Sequence, residues 1–114
     1  MKPEREFFDT DFVPWRQVEG AQEGIMEKII SHDPETGSYT RILKFPPMET
    51  NEVLVHDFFE EVYILEGSLY DIQKKETYLP GYYASRPPGM VHGPYKIPYG
   101  CTTLEVRTFE KKKE

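Results

Sequence analysis

Residues 56–67 read His56-Asp57-Phe58-Phe59-Glu60-Glu61-Val62-Tyr63-Ile64-Leu65-Glu66-Gly67. A histidine and a glutamate four apart would share one face of a helix. The flanks argue otherwise. Val53-Leu54-Val55 comes before and Val62-Tyr63-Ile64-Leu65 after, and both are rich in strand formers. In one extended strand, four residues span roughly 13 Å, whereas two ligands of one metal each lie within about 2.0–2.2 Å of it. If His56 and Glu60 serve one site, the chain must turn between them, near Asp57–Phe59. A second stretch, Gly81-Tyr82-Tyr83-Ala84-Ser85-Arg86-Pro87-Pro88-Gly89-Met90-Val91-His92, ends on a histidine just past a Pro-Pro-Gly turn. Such a turn is rigid and fixes the side chain that follows it.

Strand signals extend outward from these two stretches. Ile25 to Ser31 and Tyr39 to Phe45 are rich in β-branched and aromatic residues. Asp33-Pro34-Glu35-Thr36-Gly37 between them suits a tight turn, so the pair reads as a hairpin. Pro46-Pro47 ends it, since proline cannot donate to a sheet ladder. Val53 to His56, Glu61 to Leu65, Ser68 to Gln73, Thr77 to Leu79, Tyr82 to Ser85, Val91 to Tyr95 and Cys101 to Phe109 follow as short strands. About nine or ten strands at this spacing define an all-β sandwich or barrel. No segment keeps a helical period over about twelve residues. Residues 1–14 are charged and Pro-flanked, with Phe7, Phe8 and Phe12 among acids. They read as an N-terminal arm packed across the domain or across a partner subunit. Residues 110–114 read as a solvated tail, with Lys111-Lys112-Lys113 between Glu110 and Glu114.

Length and charge limit the function. A chain of 114 residues is expected to form one domain, 1–114, with one core. Twenty acidic residues against fourteen basic ones give a net charge of -6. A nucleic-acid partner is therefore not expected, because such binders need a basic face. No apolar run approaches the length of a membrane span. The single Cys101 cannot form an internal disulfide and reads as a small buried residue. These features, with an N-terminus unlike a signal peptide, lead us to expect a cytoplasmic protein.

The two stretches together resemble the motifs of the cupin superfamily, the RmlC-like jelly rolls. In the second motif Gly81, Pro87, Gly89 and His92 fall at the family's spacings, and Lys96 stands where the family has Asn. In the first, His56, Glu60 and Gly67 fit, whereas Leu54 stands at the first His position and Met48 at the opening Gly. The run Pro87-Pro88-Gly89-Met90-Val91-His92-Gly93-Pro94 is similar to small cupins of the anti-sigma-factor type and the dioxygenase-like type. The resemblance implies a single double-stranded β-helix, a jelly-roll barrel, with a metal inside it. The family's usual ligands are three His and one Glu, and this chain keeps His56, Glu60 and His92. Such a 2-His-1-carboxylate set suits Fe(II) with open positions, with Zn, Mn or Ni as the other divalent choices.

The function so implied is a metal-dependent, dioxygenase-type enzyme acting on a small oxygenated substrate such as a ketone or dicarbonyl. Arg86 and Arg41 are candidate catalytic anchors for a substrate oxygen or carboxylate. The alternative is a non-enzymatic cupin that binds or senses a small molecule around a degenerate metal site. No helical segment precedes the barrel to hold a sigma factor, so that role is not expected. His32, beside a turn, is expected to be exposed. Tyr63 is expected on the outer face, and Glu52 is a remote substitute ligand. Phe58 and Phe59 could form an apolar lip over the site or pack against another subunit. The aromatic arm and the family's habit of pairing barrels point to a homodimer.

Overall fold

The computed structural model describes residues 1–110. The basic run Lys111-Lys112-Lys113, read above as a solvated tail, lies outside the described residues. Twelve strands and one 3-10 turn, Thr10–Phe12, make up the regular structure among the described residues. The strands are β1 (Arg16–Gln17), β2 (Met26–His32), β3 (Tyr39–Phe45), β4 (Met48–Glu49), β5 (Leu54–Val55), β6 (Phe59–Gly67), β7 (Leu69–Asp71), β8 (Glu76–Tyr78), β9 (Tyr83–Arg86), β10 (Val91–His92), β11 (Tyr95–Ile97) and β12 (Cys101–Thr108). They form an antiparallel six-stranded sheet in the order β1-β2-β3-β12-β6-β9 and a four-stranded sheet β4-β11-β7-β8. The pair β10-β5 stands apart from both.

The two larger sheets pack face to face. Ile64 and Cys101 from the first meet Leu69 and Ile97 from the second, with Phe45, Met48, Tyr78 and Tyr95 around them. This core fills only one end of the barrel. Along β6 the inward residues run Glu60, Val62, Ile64, and along β12 they run Cys101, Thr103, Glu105. Period-2 alternation thus carries apolar residues inward at one end and charged residues inward at the other. Gly67 permits the close turn out of β6. Its φ is +79°, and a Cβ there would collide with the Gly100 carbonyl oxygen.

The hairpin of β2 and β3 forms as the sequence suggests, closed by Asp33 and Gly37. One expected strand divides. Val91 to Tyr95 becomes β10 and β11, because Gly93-Pro94 interrupts it and the two halves join different sheets. The N-terminal residues lie over the β2–β3 side. Lys2 Nζ donates to Thr40 Oγ1 at 2.9 Å and Arg5 to the Ile30 carbonyl at 2.8 Å. Phe7 and Phe12 are left 99% and 87% exposed, so neither contributes to this barrel's own core.

Candidate metal centre

His56 follows β5 directly, and the chain bends at Asp57–Phe58 before entering β6. The expected turn is present, but β5 and β6 do not pair, since they belong to different sheets. The bend itself swings Glu60 under His56. The Pro87-Pro88-Gly89 turn is tied to the same place, because Gly89 N–H donates to the His56 carbonyl at 2.8 Å. His92 then enters β10 opposite Leu54. The ring centroids of His56 and His92 lie 5.0 Å apart.

Ligand atoms of His56, Glu60 and His92 all lie within 4.8 Å of one another. One ion with bonds of about 2.0–2.2 Å spans up to roughly 4.4 Å between opposite ligands. A small side-chain adjustment therefore suffices to bring all three onto a single ion. The donor chemistry also fits. His92 is 8% exposed, and neither of its ring nitrogens has a hydrogen-bond partner. Burial, and then the neighbouring Arg86 guanidinium, pushes its pKa down to about 4, so the ring is the neutral form that a metal requires. A buried, neutral, unpartnered imidazole is costly unless something binds it.

Glu60 is 2% exposed and heavily engaged. Its Oε1 accepts from Arg86 NH1 at 2.7 Å, and Arg107 Nε lies 3.3 Å from its Oε2. Both arginines stand directly across the sheet, Arg107 on β12 and Arg86 on β9. Arg107 Nε is closer, at 2.8 Å, to Glu105 Oε1, though it is aligned for a hydrogen bond with neither carboxylate. Glu105 also takes Arg41, which in turn reaches Glu27 at 2.8 Å. Three carboxylates, Glu27, Glu105 and Glu60, thus alternate with the guanidiniums of Arg41, Arg107 and Arg86 through the barrel, and Arg16 adds a further partner to Glu27 at 3.1 Å. Arg41 is buried and held by Glu27 and Glu105.

A cavity of about 250 Å³ opens beside His92. Arg86, Tyr95, Val62, Ile64 and Tyr78 are among its walls. Arg86 NH2 donates to the Tyr95 hydroxyl at 2.9 Å. Phe58 stacks on His56 at 4.6 Å and packs against Phe109 and under Arg107. It thus covers the His56 side of the cluster. His32 and Glu52 are exposed and outside the cluster, and Tyr63 is 43% exposed on the outer face. Sequence reasoning missed Arg107, Glu105 and Tyr95. The first two were detectable as charged residues at inward positions of an otherwise well-patterned strand.

A six-stranded and a four-stranded antiparallel sheet around a His-Glu-His cluster are the features of an RmlC-like cupin. The chain belongs to the family described as the ChrR cupin-like domain, whose model matches residues 3–108. No curated protein gives a match. Among solved structures, an RmlC-like cupin from Ralstonia eutropha JMP134 superposes with a TM-score of 0.76 at 19% identity, covering 93% of this chain and 69% of that one. An acetylacetone dioxygenase from Acinetobacter johnsonii gives 0.72 at 19% identity, covering 92% and 74%. The polyketide cyclase RemF from Streptomyces resistomycificus gives 0.71 at 20% identity, covering 96% and 83%. At these identities the likeness establishes the fold. No helix among the described residues is long and apolar enough to cross a membrane.

Proposed function

We propose that the protein is a metal-dependent cupin enzyme of dioxygenase type that acts on a small ketone- or dicarbonyl-like substrate. The observation that carries this reading is the orphaned, buried His92 within reach of His56 and Glu60. These three residues would hold the ion, with iron favoured and zinc, manganese or nickel as the other fits. A bound Fe(II) supplies dioxygen activation and polarisation of a substrate oxygen. The protein's own groups do the rest. The cavity beside His92 is wide enough for a small substrate, and Val62, Ile64 and Tyr78 keep water from its apolar part. Arg86 and the Tyr95 hydroxyl present donors to a substrate oxygen. Arg41, held by Glu27 and Glu105, acts as a positioning residue by keeping Glu105 and Arg107 in line with Glu60.

Oxygen consumption tests the reading. Fe(II)-loaded protein should consume oxygen with pentane-2,4-dione or a related dicarbonyl, and a folded His92→Ala variant should not. Saturable binding of the same compounds without turnover would favour the alternative, a non-enzymatic binding or sensing cupin. The missing histidine at Leu54 and the ChrR-like family membership support that second reading. We also propose a homodimer, because Phe7 and Phe12 on the arm are exposed far beyond what a lone barrel requires. Light scattering should give twice the chain mass, and a monomer would exclude the dimer.

A further inference from the structure

Arg86 has one carboxylate partner, Glu60, and that carboxylate belongs to the set proposed to hold the metal. Arg107 differs. It touches Glu60 but lies closer to Glu105, so it keeps a partner whatever Glu60 does. If Glu60 turns its charge to a metal, Arg86 is left with only the Tyr95 hydroxyl. A guanidinium whose side chain is 13% exposed, next to a newly arrived cation, is then poorly compensated. Arg86 and His92 both line the same cavity, so a ligand entering it can reach both. Lys74 and Asp71 line that cavity as well, and Asp71 Oδ1 accepts from the Gln73 and Lys74 backbone N–H groups. With Lys74 and Asp71 of opposite charge at the wall, the group in the cavity matched to a carboxylate is the planar fork of Arg86.

We propose that Arg86 is a carboxylate anchor kept in reserve by Glu60, and that the substrate is a small oxo acid. Its carboxylate replaces Glu60 on Arg86 while its carbonyl oxygen faces the metal centre. This rests on the metal reading above and narrows its substrate class. Glu60 serves as an internal stand-in for the substrate's carboxylate in the metal-free protein. Metal and anion then favour one another, since each relieves what the other leaves uncompensated, and the coupling is reciprocal.

The test uses calorimetry with pyruvate, its neutral analogue methyl pyruvate, and zinc, and does not depend on turnover. Zinc-loaded wild type should bind pyruvate at least about tenfold tighter than the metal-free protein does, and methyl pyruvate should show no such gain. Metal-free Glu60→Gln, checked for folding by circular dichroism, should also bind pyruvate about tenfold tighter than metal-free wild type, because the amide cannot neutralise Arg86. Arg86→Gln should retain zinc and lose the preference for pyruvate. If wild type takes no zinc but Glu60→Gln binds pyruvate, the anchor stands and only the metal reading falls. If Glu60→Gln does not fold, the comparison of zinc-loaded wild type with Arg86→Gln decides. The proposal is overturned if neither zinc nor the Glu60 substitution makes pyruvate bind tighter than methyl pyruvate.

Discussion

Leu54 separates this protein from cupins with a complete ligand set. It faces His92 across the β5–β10 pair, so both side chains emerge on the same side of the ribbon. A histidine in its place would stand beside His92 on that side of the ribbon. Leu54→His should tighten zinc by about tenfold or more in a competition titration, and an unchanged affinity would show that this position does not reach the site. Cys101 offers a separate check on the core. It is 3% exposed, and burial pushes its thiol up to about 11. At about pH 8 almost no thiolate forms, so iodoacetamide should modify the native protein far more slowly than the urea-unfolded chain. Equal rates would mean that this end of the barrel is open. The grouping of His56, Glu60 and His92 came from the resemblance to the cupin motifs, and their ligand atoms do lie within 4.8 Å of one another. Arg107 and Tyr95 were not legible in the sequence, because their roles depend on which strands lie side by side.

The cross-strand ladder is the device that operates at the level of elements. Arg41 on β3, Glu105 and Arg107 on β12, Glu60 on β6 and Arg86 on β9 stand opposite one another in register. Arg41 and Arg107 each have two carboxylate neighbours, and Arg86 has one. Buried pairs of this kind add little net stability but are costly to break, about 3–5 kcal/mol when one partner is removed. Glu105→Ala strips a carboxylate from both Arg41 and Arg107. Urea unfolding should therefore show a loss of about that size. A loss below about 1 kcal/mol would show that solvent reaches these arginines freely. Strand signals located β2, β3, β6 and β12 well. The short elements β1 and β4 depend on tertiary pairing, and two residues carry too little periodicity to be read alone, whereas β5 and β10 were read within the longer runs Val53 to His56 and Val91 to Tyr95.

At the scale of the whole molecule, the barrel divides its labour between its ends. Ile64, Leu69, Ile97 and Cys101 seal one end, and the other holds charge that an apolar core could not tolerate unpaired. The His56–Glu60–His92 cluster and the cavity lie on the charged side of this boundary, with the apolar core forming the cavity's back wall through Ile64 and Leu69. The all-β class was readable from Pro and Gly punctuation and strand spacing. The polarity divide was not, since it appears only when β6 and β12 are set in register. The central claim is that His56, Glu60 and His92 hold one metal ion. Anaerobic titration of Fe(II) into chelator-treated protein tests it most directly. The account predicts saturation at about one equivalent per chain, abolished in folded His92→Ala. Saturable binding that survives this substitution, or uptake below about a tenth of an equivalent in wild type, would contradict it.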